Sequence, residues 1–143
     1  MSRSQQARAM FGPQHSCAQA IVASFGPGLG LDEALALRLS RGLGMGMAQG
    51  LTCGAVSGAL LVLGLAQGPR QDQEREPRYA CYEAVENFCQ RFQDIHGSIA
   101  CRDLLGVDLG TPQGRQAAQE GGLFMSRCPG LVESAGLILE EML

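Results

Sequence analysis

No charged side chain occurs between Arg41 and Arg70, and within that interval glycine recurs around a single cysteine: "GLGMGMAQGLTCGAVSGALLVLGLAQGP". An uncharged run of this kind must leave water, either across a bilayer or in the middle of a protein. Its first part, "GLGMGMAQG", reads as a loop. About 15 helical residues then remain from Thr52 to Ala66, or about 23 Å at ~1.5 Å per residue, short of a ~30 Å hydrocarbon core. The expectation is therefore a buried central helix. Interior glycines destabilise a helix by about 1 kcal/mol each relative to alanine, so Gly54, Gly58 and Gly64 need a reason. Close helix packing accounts for Gly58 and Gly64. Gly54, directly beside Cys53, points to room for a backbone or for a bulky inorganic group.

At 143 residues the chain is long enough for one domain with a real core. With 17% charged residues and a net charge of −3, its basic residues scattered and unaccompanied by aromatics, it offers nucleic acid no basic stripe. No membrane association is expected either. The opening "MSRSQQARAMFGPQHS" lacks the apolar core of an export signal. Residues 1–13 read as a polar, disordered tail, and 14–143 as the single domain. A cytoplasmic location is expected, where six thiols in one chain are rarely structural disulfides.

The periodicity is helical nearly throughout. Cys17, Ala20, Ile21, Ser24 and Phe25 share one face, with Ser16 as cap and Gly26-Pro27 as stop. Asp32 caps a second helix whose inner face is expected to carry Leu35, Leu39 and Leu43. Thr52 is the expected cap of the third, which runs to Gln67. "PRQDQEREPR" reads as a surface connector. Tyr82, Val85, Cys89 and Phe92 stripe a longer helix closed by Gly97. "CRDLLG" makes one turn, and Thr111-Pro112 is a cap followed by a first-turn proline. Val132, Ala135, Leu139 and Met142 stripe a final helix beginning around Cys128-Pro129. The expected architecture is an all-α, single-domain bundle of five to six helices around the glycine-rich central one.

Four cysteines share a local setting in this reading. Cys17, Cys53, Cys101 and Cys128 each lie at the cap or in the first turn of a helix, where unpaired N–H groups favour a thiolate and lower its pKa. Arg102 and Arg127, each next to one of them, would act in the same direction. Cys81 and Cys89 lie inside a helix and read as buried structural thiols. The spacing C-x35-C-x47-C-x26-C contains no C-x-x-C pair, which disfavours zinc knuckles and thioredoxin-type sites. If the four meet, tertiary folding must bring them together. His15 is a possible substitute ligand.

"TCGAVSGALLVLGLAQG" resembles the CGAxxG signature of the C_GCAxxG_C_C family of redox-active four-cysteine proteins. The flanking "SCAQAIVASFGPGLGLDEALALRLSRGLGMGM", "IACRDLLG" and "CPGLVESAGLILEEML" fit in the same order, over roughly residues 14 to 143. The resemblance places the family's cysteines on Cys17, Cys53, Cys101 and Cys128. Related modules accompany haem domains in some multihaem cytochromes, where iron–sulfur chemistry is associated with this region. The chain itself has no C-x-x-C-H for covalent haem.

Three functions stay open on this reading. In the first, the four cysteines, with Gly54 beside them, bind an iron–sulfur cluster, [2Fe–2S] being one type, and pass electrons to an unidentified redox partner protein. In the second, two of the cysteines cycle between thiols and a disulfide. In the third, they hold zinc, or nothing, in a scaffold for a protein partner. Whether the chain is an enzyme is left open, since the sequence has no dinucleotide fingerprint, P-loop or hydrolase triad. The apolar C-terminal helix and the small-residue face of the third helix suggest a homodimer.

Overall fold

Side-chain caps and glycines set the limits of most helices in this chain. Ser16 and Gln19 form a reciprocal capping box at the start of α2 (Cys17–Phe25), a motif that satisfies two otherwise unpaired N–H groups. Asp32 caps α3 (Glu33–Leu39), and Thr111 caps α7 (Pro112–Glu120) with Pro112 in its first turn. The computed structural model describes residues 1–68 and 78–143, and among them the protein is all-α, with eight α-helices and no strand. That is two or three helices more than the expected five to six. The rest are α1 (Arg3–Met10), α4 (Gly54–Gln67), α5 (Arg78–His96), α6 (Cys101–Leu105) and α8 (Leu123–Met142). The connector "PRQDQEREPR" lies outside the described residues except for Arg78. No helix among the described residues is long and apolar enough to cross a membrane.

The first of the extra helices is α1, where a disordered tail was expected. Ser2 and Gln5 form a capping box of their own, and Ser4 and Ala7 are buried. The Ser4 N–H donates to Glu140 Oε1 at 2.9 Å, and Arg8 pairs with Glu133. Both acids lie on α8. The composition of residues 1–13 is polar because only one narrow face of α1 packs, and that face carries small residues.

The core lies where α2 crosses α4, with α5 and α8 closing the other sides. Ile21, Val22 and Phe25 from α2 meet Val56, Val62 and Leu63 from α4, Phe88 and Phe92 from α5, and Val132 and Leu139 from α8. Burying each such side chain stabilises the fold by about 1.5–3 kcal/mol. Several expected faces are turned. In α3, Ala36 is fully buried while Leu35 and Leu39 are 46% and 58% exposed. In α5 the inner face is Phe88 and Phe92, and Tyr82 is exposed. Cys81 and Cys89 are half-buried, not core residues, though Cys89 touches the main core. Of the two surfaces suggested for a dimer, Gly54 and Gly58 of α4 pack on α2, and Val132, Ala135 and Leu139 of α8 are buried in the core.

The glycines of α4 divide by what faces them. A Cβ on Gly58 would lie 3.0 Å from Ala18 Cα and 3.0 Å from its carbonyl oxygen, and one on Gly54 would lie 3.0 Å from Ala18 N and 3.2 Å from Cys17 Cβ. Both glycines therefore let α2 approach α4 backbone to side. Gly64 differs from the expectation: nothing lies within 4 Å of its Cβ position.

Between α3 and α4 the backbone takes a conformation that L-residues avoid. Met45, Gly46, Met47 and Ala48 have φ of 54°, 62°, 59° and 58°, one left-handed turn. Each non-glycine residue there costs about 1–2 kcal/mol. The turn is held by the Leu51 N–H, which donates to the Gly46 carbonyl at 3.0 Å, and by Arg115 Nη2, which donates to the Ala48 carbonyl at 3.1 Å.

Two pairs of substitutions test this account in thermal or urea unfolding. Gly58→Val should lower stability by about 1–3 kcal/mol through overpacking, whereas Gly64→Ala should raise it by about 0.5–1 kcal/mol. In the left-handed turn, Ala48→Gly should raise stability by up to about 1 kcal/mol, while Ala48→Val should lower it.

Candidate cysteine site

Four separate elements bring cysteines to one place. Cys17 is the first residue of α2, fixed by the Ser16 capping box. Cys53 is itself the N-cap of α4, one residue later than the expected Thr52. Cys101 is the first residue of the short α6. Cys128 lies in the second turn of α8, which begins at Leu123 and carries Pro129 inside it. The expected helix start at Cys128-Pro129 is thus overturned. A proline there loses one backbone hydrogen bond, but α8 is held through it by the packing of Leu131, Val132 and Ala135.

A short backbone bridge ties two of the four together. Thr52 and Ala100 form an isolated antiparallel pair, in which the Cys53 N–H donates to the Ile99 carbonyl at 2.8 Å and the Cys101 N–H to the Leu51 carbonyl. This fixes the start of α4 against the start of α6. Gly46 completes the fit: a Cβ there would come 2.9 Å from Cys101 Cβ. On the opposite side, Gly54 admits Cys17. Glycine thus permits the close approach at Cys101 and at Cys17.

All four cysteines line one cavity of about 660 Å³. Its walls are largely apolar, from Phe11, Leu104, Leu109, Phe124 and Leu131 among others. The segment joining α1 to α2, Phe11 to Ser16, makes one wall and includes His15. The order in α1 therefore bears on the site, because α1 anchors that wall to α8. Arg41 and Arg115 also line the cavity. The sequence reading missed both, since they stand alone among polar neighbours and only the fold places them here.

The electrostatics differ from the expectation of lowered thiol pKa values at helix starts. Cys53 is pushed up to about 11, chiefly by burial, although the Ala55 and Val56 N–H groups facing its sulfur oppose the rise. Cys101 is pushed up to about 12 by burial and by the charges that Cys53, Cys128 and Asp108 would carry. Cys17 is also raised, because it gives its S–H to Cys128 and is buried. Cys128 alone is lowered, by accepting that S–H. Three helix starts do carry cysteines, but desolvation and mutual repulsion of four sulfurs outweigh the helix-end N–H groups. Arg127 donates to the Leu104 carbonyl at 3.2 Å, and Arg102 is exposed. Cys81 and Cys89, on α5, are not among the cavity-lining residues.

Among the described residues, no three His, Cys, Asp or Glu side chains converge tightly enough to grip one metal ion. The four thiols border a shared space instead. Gly46 and Gly54 let the chain pack closely beside three of the four cysteines.

No curated protein and no solved structure matches this sequence. A family model does, over residues 15–142, a span that takes in all four cavity cysteines and every helix except α1. The chain belongs to the C_GCAxxG_C_C family, whose description reads "Putative redox-active protein".

Proposed function

We propose that Cys17, Cys53, Cys101 and Cys128 together hold an iron–sulfur cluster with which the protein exchanges electrons with a redox partner protein. The observation that carries this reading is the meeting of four thiols, from four different helices, on one apolar-walled cavity. Four cysteine thiolates are the ordinary ligand set of [2Fe–2S] and [4Fe–4S] clusters. A lone zinc ion needs its sulfurs about 2.3 Å from one tetrahedral point, and the described residues provide no such point. When bound, the cluster supplies one-electron chemistry. The chain supplies the ligands, a wall of leucine and phenylalanine against water, and the Ala55 and Val56 N–H groups beside the Cys53 sulfur. Donors of that kind tune a cluster's potential.

A particular contact favours a second reading, in which the cysteines act as a dithiol. Cys17 and Cys128 line the same cavity, and their thiols shift in opposite directions because the S–H of one is offered to the sulfur of the other. Forming a disulfide from this pair passes two electrons and two protons to a disulfide oxidant such as oxidised glutathione.

The two readings separate in the laboratory. Protein made and purified without oxygen should be coloured and contain iron and acid-labile sulfide in equal amounts, and Cys53→Ser should lose most of both. Colourless, iron-free protein that resists reconstitution with iron and sulfide rejects the cluster. For the dithiol, iron-free protein exposed to oxidised glutathione, alkylated and digested, should yield a Cys17–Cys128 peptide pair. Scrambled bridges among the four cysteines, or a Cys53–Cys101 bridge, would reject it.

A further inference from the structure

The cavity exceeds what the thiols need. At about 660 Å³ it falls in the range of small-molecule pockets. Among the described residues, every charged side chain that lines it is cationic, Arg41 and Arg115, with His15 as a further donor and no carboxylate. This holds in a chain with 14 acidic residues against 11 basic ones. Asp108, whose charge acts on Cys101, is turned to the Gly110 N–H, which donates to its Oδ1 at 2.8 Å, and is not among the cavity-lining residues.

The two arginines are placed differently. Arg115 is fixed, its Nε donating to the Leu109 carbonyl at 2.7 Å and its Nη2 to the Ala48 carbonyl at 3.1 Å. Its charge is thereby held at the cavity by the strained left-handed turn, and neither bond neutralises it. Arg41 is exposed and has no hydrogen bond or ion pair among the described residues. Strained backbone tends to persist where it positions functional groups. The same cavity is also lined by apolar side chains, among them Phe11, Leu109, Phe124 and Met125.

We infer that the outer part of this cavity binds a small organic anion, its carboxylate or sulfonate paired with Arg41 and Arg115 and its apolar body laid on Phe11 and Phe124 toward the cysteines. A guanidinium is suited to planar anionic groups, which it can engage through two N–H donors at once. The inference does not depend on whether the thiols hold iron.

A matched pair of fluorescent probes tests it. 8-Anilinonaphthalene-1-sulfonate carries an apolar body and one sulfonate, and N-phenyl-1-naphthylamine is its neutral counterpart. Titrated into the folded protein, the sulfonate should bind saturably at one site per chain and more tightly than the neutral probe. Arg41→Gln should weaken the sulfonate roughly threefold or more and leave the neutral probe unchanged. Arg38→Gln, an exposed arginine of α3 outside the cavity, should alter neither. Arg41→Gln removes no side-chain hydrogen bond or ion pair among the described residues, and an unchanged far-ultraviolet circular dichroism spectrum confirms that it folds. Equal affinity for the two probes, no saturable binding of the sulfonate, or an equal effect of Arg38→Gln overturns the inference. Iron and sulfide measured on the same samples, loaded and iron-free, report the cluster separately, so failure of one reading is not mistaken for failure of the other.

Discussion

The close approach of α2 to α4 is the constraint on which the rest of the molecule depends. Gly54 and Gly58 lie against the backbone of Ala18, and no side chain larger than hydrogen fits there without a shift. That contact sets Cys17 beside the start of α4. The bridge between Thr52 and Ala100 then fixes α6 against the same point. Three cysteines are therefore positioned by backbone contacts rather than by flexible side chains, and α8 brings the fourth across the opening. Rigid backbone placement is what a multi-sulfur site requires, since misplacement by a fraction of an ångström weakens ligation.

Burial has a clear electrostatic consequence here. Four sulfurs placed close together in an apolar setting are held mainly as neutral thiols, because each thiolate would be poorly solvated and would repel the others. The helix-end N–H groups at Cys53 act in the opposite direction and are too weak to reverse this. A bound metal group would invert the balance, since its positive charge stabilises the thiolate and the thiol's proton would pass to water. The same cavity thus disfavours a lone reactive thiolate at Cys17, Cys53 or Cys101. The Cys17–Cys128 hydrogen bond is the exception, lowering one thiol at the expense of its neighbour.

Much of the fold could be read in the residues themselves. Ser16, Asp32 and Thr111 cap helices as expected because capping is a local interaction within four residues. The stripe of Val132, Ala135 and Leu139 is buried as its spacing requires. Errors arose where a choice between faces is made by neighbours distant in sequence. Leu35 and Leu39 share a helical face, yet small Ala36 is what fits against α2, so the leucines face out. In residues 1–13, Ala7 and Ser4 give almost no apolar signal, although they are small enough to let α1 lie close along α8.

The sequence by itself determined the helical class and the starts of α2, α3, α6 and α7, and it singled out four cysteines, because these rest on local hydrogen bonding and on an ordered motif. Only the tertiary structure decided that the four sulfurs border one cavity. It alone placed Arg41 and Arg115 there, turned Met45–Ala48 into a left-handed turn, and set Cys128 inside a helix rather than at its end. Those outcomes depend on contacts between segments tens of residues apart, whose free energy is set by shape and burial and leaves no periodic trace along the chain.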